Sequence, residues 1–212
     1  MPLRFVITAG PTREHLDPVR FLSNPSTGRM GFAVARAAAR RGHEVILIAG
    51  PVALRTPPGV TRHDVISARD MAEAVTGHLA AGDAKATILV ATAAVADWRP
   101  AVTAKKKLKK STASNTLRLV RNPDILKSAR GCLKIGFAAE TGADVAEAAR
   151  KCRDKGCALV VLNDVTEPGA GFGVKTNRVT FVTPDGTAEP QRLLSKAALG
   201  ARLVRFCERL VP

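Results

Sequence analysis

The 212-residue chain has no tyrosine, one tryptophan and seven phenylalanines, so only 4% of its residues are aromatic. Stacking platforms for single-stranded nucleic acid are therefore scarce, and no RNP, zinc-finger or basic-zipper pattern appears. Acidic residues are also few: 18 Asp+Glu stand against 33 Lys+Arg, a formal net charge of +15. This excess predicts a partner or substrate carrying negative charge, without naming it. With so few aromatics, nucleic acid is the weaker candidate.

Cysteine is sparse too. Cys132, Cys152, Cys157 and Cys207 form no CxxC and have no histidine at metal-ligand spacing. They read as buried free thiols of a reducing compartment, and no protein ligand set for a metal is assigned. His15, His43, His63 and His78 are scattered. No apolar run approaches the length of a membrane span, and the N-terminus lacks a signal peptide's apolar core, so the chain is expected to be cytoplasmic and free of any membrane.

What is present is an alternation of short apolar runs with helical ones. Strands are predicted at Leu3 to Thr8, Glu44 to Ile48, Arg62 to Ile66, Thr87 to Ala91, Leu133 to Phe137 and Ala158 to Leu162. Helices are predicted at Arg29 to Arg41, at Ala68 to Leu79 with Ser67 as N-cap, at Asp144 to Lys155 and at Gln191 to Leu210. The order predicts an α/β fold, a Rossmann-like, doubly wound and mostly parallel sheet formed by one domain over residues 1–212. Two segments break the rhythm. Residues 101–115 carry KKKLKK without a core period and read as a Lys-rich surface flap. Residues 167–188 are Gly-rich and then form a strand, Arg178 to Val182, with a Pro184-Asp185-Gly186 turn, which predicts a small β-hairpin appendage.

Phosphate chemistry is suggested by the stretch from Phe5 to Gly31, where a strand enters a Gly-Pro turn and a long loop leads to a Ser-Thr-Gly helix start. Such a start collects backbone N–H groups and small hydroxyls where an anion is held. The Rossmann G-x-G-x-x-G and the acid at the end of the second strand are both missing, as is the Walker sequence. NAD(P)-dependent redox work and P-loop hydrolysis lose ground accordingly. A second cluster, ATAAVADWRP at Ala91 to Pro100, puts small residues and Asp97 at the end of a central strand, where a carboxylate can take ribose hydroxyls or simply cap a turn. The lysines that follow, Lys105 to Lys110, either form a solvated face or close over a polyphosphate.

Several separated motifs in one order carry a resemblance: ITAGPTREHLDPVRFLSNPSTGRMG, AAVADWRP, KKLKK, RNPDIL at Arg121 to Leu126, GFAAET at Gly136 to Thr141, Lys151 with Lys155, and VLNDV followed by GFG and Asn177. Together they span nearly the whole chain. The sequence resembles the phosphopantothenoylcysteine synthetase family of coenzyme A biosynthesis. The resemblance implies a ligase that activates the carboxylate of 4'-phosphopantothenate with CTP, releasing pyrophosphate. Cysteine then displaces CMP from the acyl-cytidylate. Magnesium would accompany CTP, no flavin would bind these residues, and a separate phosphopantothenoylcysteine decarboxylase is a candidate partner. CTP against ATP is left open by the residues themselves.

The roles implied by the resemblance fall on particular positions. Asn24 would stabilise the acyl-cytidylate, and Lys107 would support the first half-reaction, with Lys106 the alternative one position away. Asp97 would bind ribose, and Ala93, Ala94 and Phe137 would contact the base. Asn122, Pro123, Asp124 and Ile125 match a nucleotide-contacting loop, although Pro at N1 after Asn is also an ordinary helix start. Lys151 and Lys155, one helical turn apart, would contact phosphate or base. Ser26, Thr27 and Gly28 would cradle phosphate oxygens. Arg20 would reach the substrate's acidic groups in the site of a second copy, which implies a homodimer. A different class, a non-catalytic basic protein that binds nucleotides or nucleic acid on the same fold, predicts indifference to Asn24 and Asp97 and a steep salt dependence.

Overall fold

The structure is a computed structural model that describes residues 1–109 and 116–211. Of the predicted flap, residues 110–115, with Lys110, lie outside the described residues.

The chain begins with β1 (Arg4–Ala9), the short strands β2 (Arg13–His15) and β3 (Phe21–Ser23), and helix α1 (Arg29–Arg40). It continues through β4 (Glu44–Ala49), β5 (Thr61–Asp64), α2 (Ala68–Ala80), β6 (Thr87–Ala91), β7 (Trp98–Pro100), β8 (Leu119–Arg121) and α3 (Ile125–Ser128). The last part holds β9 (Leu133–Glu140), α4 (Val145–Asp154), β10 (Leu159–Asp164), β11 (Thr176–Asn177), β12 (Thr180–Val182), β13 (Ala188–Pro190), β14 (Leu194–Ser195) and α5 (Lys196–Leu210).

The central sheet has the order β13-β12-β10-β9-β6-β1-β4-β5. Pairing is parallel from β10 to β5 and antiparallel at β12 and β13. From β1 the chain moves outward to β4 and β5, then returns to place β6, β9 and β10 on the other side. This reversal creates a switch point between β1 and β6, where the carboxyl ends of neighbouring strands diverge and leave a crevice. The arrangement is Rossmann-like and doubly wound.

Strands covered on both faces need apolar side chains at every position rather than at alternate ones, which is why FVITA and EVILIA read as continuous runs. Phe5, Ile7, Leu47, Val90, Ile135 and Leu159 face α1 and α5. Val6, Ile46, Ile48 and Leu89 face α2 and α3, while Val160 and Leu162 face α4. Each such large side chain, fully buried, contributes roughly 1.5–3 kcal/mol. Three of the four cysteines expected to be buried are so, Cys152, Cys157 and Cys207, while Cys132 is half-buried; desolvation pushes the thiols of Cys157 and Cys207 up to about 11 and about 12. Thiols held protonated in this way are inert. Among the described residues no helix is long and apolar enough to cross a membrane.

Some boundaries differ from the sequence expectation. The last helix starts at Lys196 rather than Gln191, because Leu194–Ser195 pairs with β11 and the Ser195 hydroxyl then caps the helix by accepting from the Ala198 amide at 3.1 Å. The predicted hairpin forms across Pro184-Asp185-Gly186 as β12 and β13, and hydrogen bonding of β12 to β10 makes it the edge of the central sheet. Ser67 caps α2 in a full capping box with Asp70.

The short pairs β2–β3 and β7–β8 have no counterpart in the sequence reading. Their strands are three residues long, too short to show a period of two. The β2–β3 pair and the loop that joins it are anchored by side chains reaching across the chain. Glu14, which is buried, accepts from the Ala68 amide at the start of α2 at 2.9 Å. Asp17, also buried, accepts from the amides of Val19 (2.8 Å), Arg20 (2.9 Å) and Leu108 (3.1 Å), and its other contacts are with the Arg20 guanidinium. The guanidinium, set against burial, holds the Asp17 carboxyl well below the usual carboxylate range.

A carboxyl depressed in the folded state stabilises fully above its unfolded value, about 3.9, and loses that effect only as pH falls through the folded value. Amide protection at Val19, Arg20 and Leu108 should therefore stay constant from pH 7 to about pH 4. Asp17→Asn should lower it about tenfold or more at both pH values. Hydrogen exchange with mass detection checks this, and equal protection in the variant would remove Asp17 from the anchor.

Candidate active site

The site begins with a close approach. The N-terminus of α1 lies against the ends of β1 and β6, and Gly31 makes this contact possible, since a Cβ there would fall 2.5 Å from both the Ala9 Cβ and the Thr92 Oγ1. Gly28 is the N-cap with φ 74°, a left-handed conformation suited to glycine, and no side chain satisfies the first amides of the helix. The Gly28 amide donates to the Ser26 hydroxyl at 3.4 Å, and the amides of Arg29, Met30 and Gly31, with the positive end of the helix dipole, are left for something else to use. The loop after β1 is tied to the loop after β6 by the Ala94 amide, which donates to the Gly10 carbonyl at 2.9 Å, and by the Ala96 amide, which donates to the Thr12 hydroxyl at 3.0 Å.

Two cavities meet along this seam. The first is lined by Ser26, Thr27 and Gly28 at the helix start, with Asn163, Asn177 and Lys196 facing them. The second is a cleft of about 610 Å³ on the other side of the strand ends, lined by Asp97, the 122–125 loop, Lys151 and Lys155. Ala93, Ala94, Phe137, Ala138 and Ala139 line both. Asn24 lines neither cavity, but its Nδ2 donates to the carbonyl of Ala94, which lines both, at 2.9 Å. A carboxamide has two N–H donors, and this bond uses one.

Of the residues expected to meet a nucleotide, the structure gathers Ala93, Ala94, Asp97, Asn122, Pro123, Asp124, Ile125, Phe137, Lys151 and Lys155 around the larger cleft. It brings Ser26, Thr27 and Gly28 around the smaller one. Asn24, Lys107 and Arg20 line neither, and Asn24 touches the shared wall through Ala94. Lys107 is exposed on the segment after β7, and Arg20 is bound to Asp17 and to the Leu108 carbonyl at 3.0 Å.

Several of these side chains have structural work as well. Asn122 donates from Nδ2 to the Ala96 carbonyl at 2.8 Å, and its amide donates to the Asp97 carbonyl at 2.8 Å, so it fixes the turn that carries Asp97. The helix after this loop starts two residues later than a Pro-at-N1 arrangement requires: Asp124 is the N-cap, accepting from the Lys127 amide at 2.9 Å, and Pro123 precedes it. Asp124 also pairs with Lys155 at 3.2 Å, and Glu140 pairs with Lys151 at 2.6 Å. Both lysines are thus aimed along the cleft wall by a carboxylate.

Three residues of the smaller cavity have no role in the sequence reading. Lys196 is buried and donates to the Gly171 carbonyl at 2.8 Å, while the Gly171 amide donates to Asn177 Oδ1 at 3.2 Å, so the Gly-rich segment is clamped from both sides. Burial, and secondarily the charge of Arg29, pushes the Lys196 ammonium down. Asn163 is buried, and its Oδ1 has no hydrogen-bond partner. A signal existed for each of two: a lysine in the first turn of a helix opposes the dipole, and Asn163 lies at the carboxyl end of a parallel strand, where sites form.

The family model for the DNA/pantothenate metabolism flavoprotein C-terminal domain matches residues 2–210. The coenzyme A biosynthesis bifunctional protein CoaBC of Escherichia coli is 43% identical over 221 residues, covering 98% of this chain and 53% of that protein. The chain thus spans about half the length of the curated relatives it matches. A crystal structure of the C-terminal domain of a CoaBC protein superposes with a TM-score of 0.80 at 39% identity, covering 98% of this chain and 95% of that one. A Cab2 H337A variant in complex with phosphopantothenate-cysteine has a TM-score of 0.79 at 16% identity, covering 96% of this chain and 84% of that one, and shows the shared fold. The chain is thus similar over nearly its whole length to the C-terminal domain of a coenzyme A biosynthesis protein, and it belongs to the DNA/pantothenate metabolism flavoprotein C-terminal domain family.

Proposed function

We propose that this chain joins 4'-phosphopantothenate to cysteine, using CTP and passing through an acyl-cytidylate. The observation that carries the reading is the pair of cavities meeting at Ala93–Ala94 and Phe137–Ala139, with Asn24 bound to the wall between them. A nucleotide in the larger cleft and a phosphorylated acid in the smaller one would bring an α-phosphorus and a carboxylate together at that wall, which is how proximity lowers a bimolecular barrier.

In the first half-reaction a carboxylate oxygen forms a bond to the α-phosphorus and pyrophosphate leaves. Asp97 would hold the ribose hydroxyls, and Lys151 and Lys155 would meet phosphate or base. Lys107, or Lys106 beside it, would swing in from the exposed segment to offset charge that develops late. In the second half-reaction the cysteine amine attacks the acyl carbon, CMP leaves, and the amine gives up its proton. The free N–H of Asn24 suits it to hold the mixed anhydride through both steps. The helix start at Ser26, Thr27 and Gly28 would take the phosphate of the acid substrate. Among the described residues no three acidic, histidine or cysteine side chains gather as a metal cage. Magnesium, which commonly binds through substrate phosphates and keeps its waters, would enter on the nucleotide and neutralise the leaving pyrophosphate.

The homodimer belongs to the same reading. Val19, Phe21, Trp98, Val102, Leu108, Leu117 and Leu119 are exposed large apolar residues of the segments around β2–β3 and β7–β8. Apolar surface gathered in this way marks an interface, and Arg20 stands among it, half exposed and aimed by Asp17. A second copy there would give each site the other's Arg20. The chain would act in the cytoplasm, with a phosphopantothenoylcysteine decarboxylase as the partner consuming its product.

Incubation with phosphopantothenate, cysteine, magnesium and either CTP or ATP tests the reaction. The amide product and pyrophosphate should form, faster with CTP; no product with either nucleotide overturns the reading. Asn24→Asp replaces a donor by a charge beside phosphate, and should slow consumption of the intermediate by about a hundredfold or more. Rapid quench with and without cysteine follows that step, and wild-type rates in both halves would dismiss the role of Asn24. For the dimer, Arg20→Ala and Asp97→Ala chains should each be inactive alone. Mixing them equally makes half the dimers mixed, each with one intact site, so activity should return to about a quarter of wild type. No return after verified subunit exchange would place Arg20 elsewhere.

A further inference from the structure

The formal excess of positive charge is not spent in the candidate active site, where Lys151 and Lys155 are both paired with acids. Part of it lines a separate groove of about 430 Å³ on the outer side of the α1–α5 layer. Arg29, Arg36 and Arg40 form one wall, spaced along α1 by about 10 Å and then about 6 Å of helix rise. Arg55, Lys175 and Arg205 complete the ring, and no carboxylate lines it. Arg41, at the same rim, is neutralised by Glu208 at 2.6 Å. The floor is made of Ala33, Ala37, Ala197 and Ala201, short side chains that leave the space open while the cations stand around it.

Six like charges around one concave space repel one another, and an anion placed among them relieves that repulsion. The volume is that of a small-molecule site. No aromatic side chain is offered for a base: Phe32, the one aromatic in the lining, is buried. Arginine forks on several sides suit oxygens that repeat at short intervals, as they do along linked phosphoryl groups. We infer that the α1–α5 groove is a second anion site, which binds a linear run of three or more phosphoryl groups, either free or as the tail of a nucleotide. It touches the smaller cavity only at Arg29 and Lys196, and its occupancy does not depend on the ligase reading.

Calorimetric titration of the full chain with tripolyphosphate tests this. The double variant Arg36→Gln, Arg40→Gln keeps helix propensity and should weaken binding by about tenfold or more, each charge-assisted contact being worth up to about tenfold. A second groove variant, Arg55→Gln with Arg205→Gln, should do the same. Arg69→Gln with Arg192→Gln, an equal loss of charge at exposed positions elsewhere, should leave the affinity within about twofold, and so should Ser26→Ala with Thr27→Ala. Orthophosphate should bind at least about tenfold more weakly than tripolyphosphate. ATP binding to the Ser26→Ala, Thr27→Ala chain as tripolyphosphate does would identify a nucleotide tail as the source, and tripolyphosphate binding alone a free oligophosphate. Equal losses in groove and control variants would reduce the effect to net charge and overturn the inference. So would loss in the Ser26→Ala, Thr27→Ala chain alone, or a 20-base-pair DNA duplex that binds more tightly than tripolyphosphate and is lost with the same arginines.

Discussion

The contact between the start of α1 and the ends of β1 and β6 is the constraint on which the remainder of the site depends. With hydrogen in place of a side chain at Gly31, the helix can sit against Ala9 and Thr92. Its uncapped amides then face the switch-point crevice rather than solvent, and Ser26 and Thr27 arrive beside them. Any side chain at that position would have to push the helix outward, and the two cavities would lose their common wall. The site is therefore set by backbone proximity first and by side-chain chemistry second.

Around this contact, polar side chains do the positioning that a long loop cannot do for itself. Thr12, Glu14 and Asp17 are all buried, and each accepts hydrogen bonds from distant backbone: Thr12 from Ala96, Glu14 from Ala68, Asp17 from Leu108. A loop anchored at three points gives up little further entropy when a ligand arrives. The same device appears across the cleft, where Asn122 holds the turn bearing Asp97, and Glu140 and Asp124 hold the two lysines. These residues are at once structural and available to a ligand, since a group fixed in place before binding need not be ordered by it.

Charge is distributed with comparable economy. Acids are few, and two of those at the larger cleft, Asp124 and Glu140, are used to aim lysines. The groove between α1 and α5 is the opposite case, with cations gathered and no carboxylate among them. Arg29 and Lys196 border both regions, and Lys196 bears the electrostatic consequence, its ammonium pushed down by burial and by the charge of Arg29.

Much of the fold was determined by the sequence alone. Five buried strands and the helices between them follow from continuous apolar runs, from the period of the helical segments, and from caps such as Ser67, because each is a local consequence of burial and backbone satisfaction. The sequence also held the motifs whose order identified the family and the positions that the structure gathers around the larger cleft. It did not determine the β2–β3 and β7–β8 pairs, whose three-residue strands are too short to carry a period; the first of them is anchored through Glu14 and Asp17 to backbone far away in the chain. Nor did it show that Asn163, Asn177 and Lys196 face Ser26 to Gly28, or that arginines from α1, α5 and the 54–55 segment share one groove. Those juxtapositions depend on how far separated strands and helices are brought together, and that distance is decided only when the whole sheet is packed.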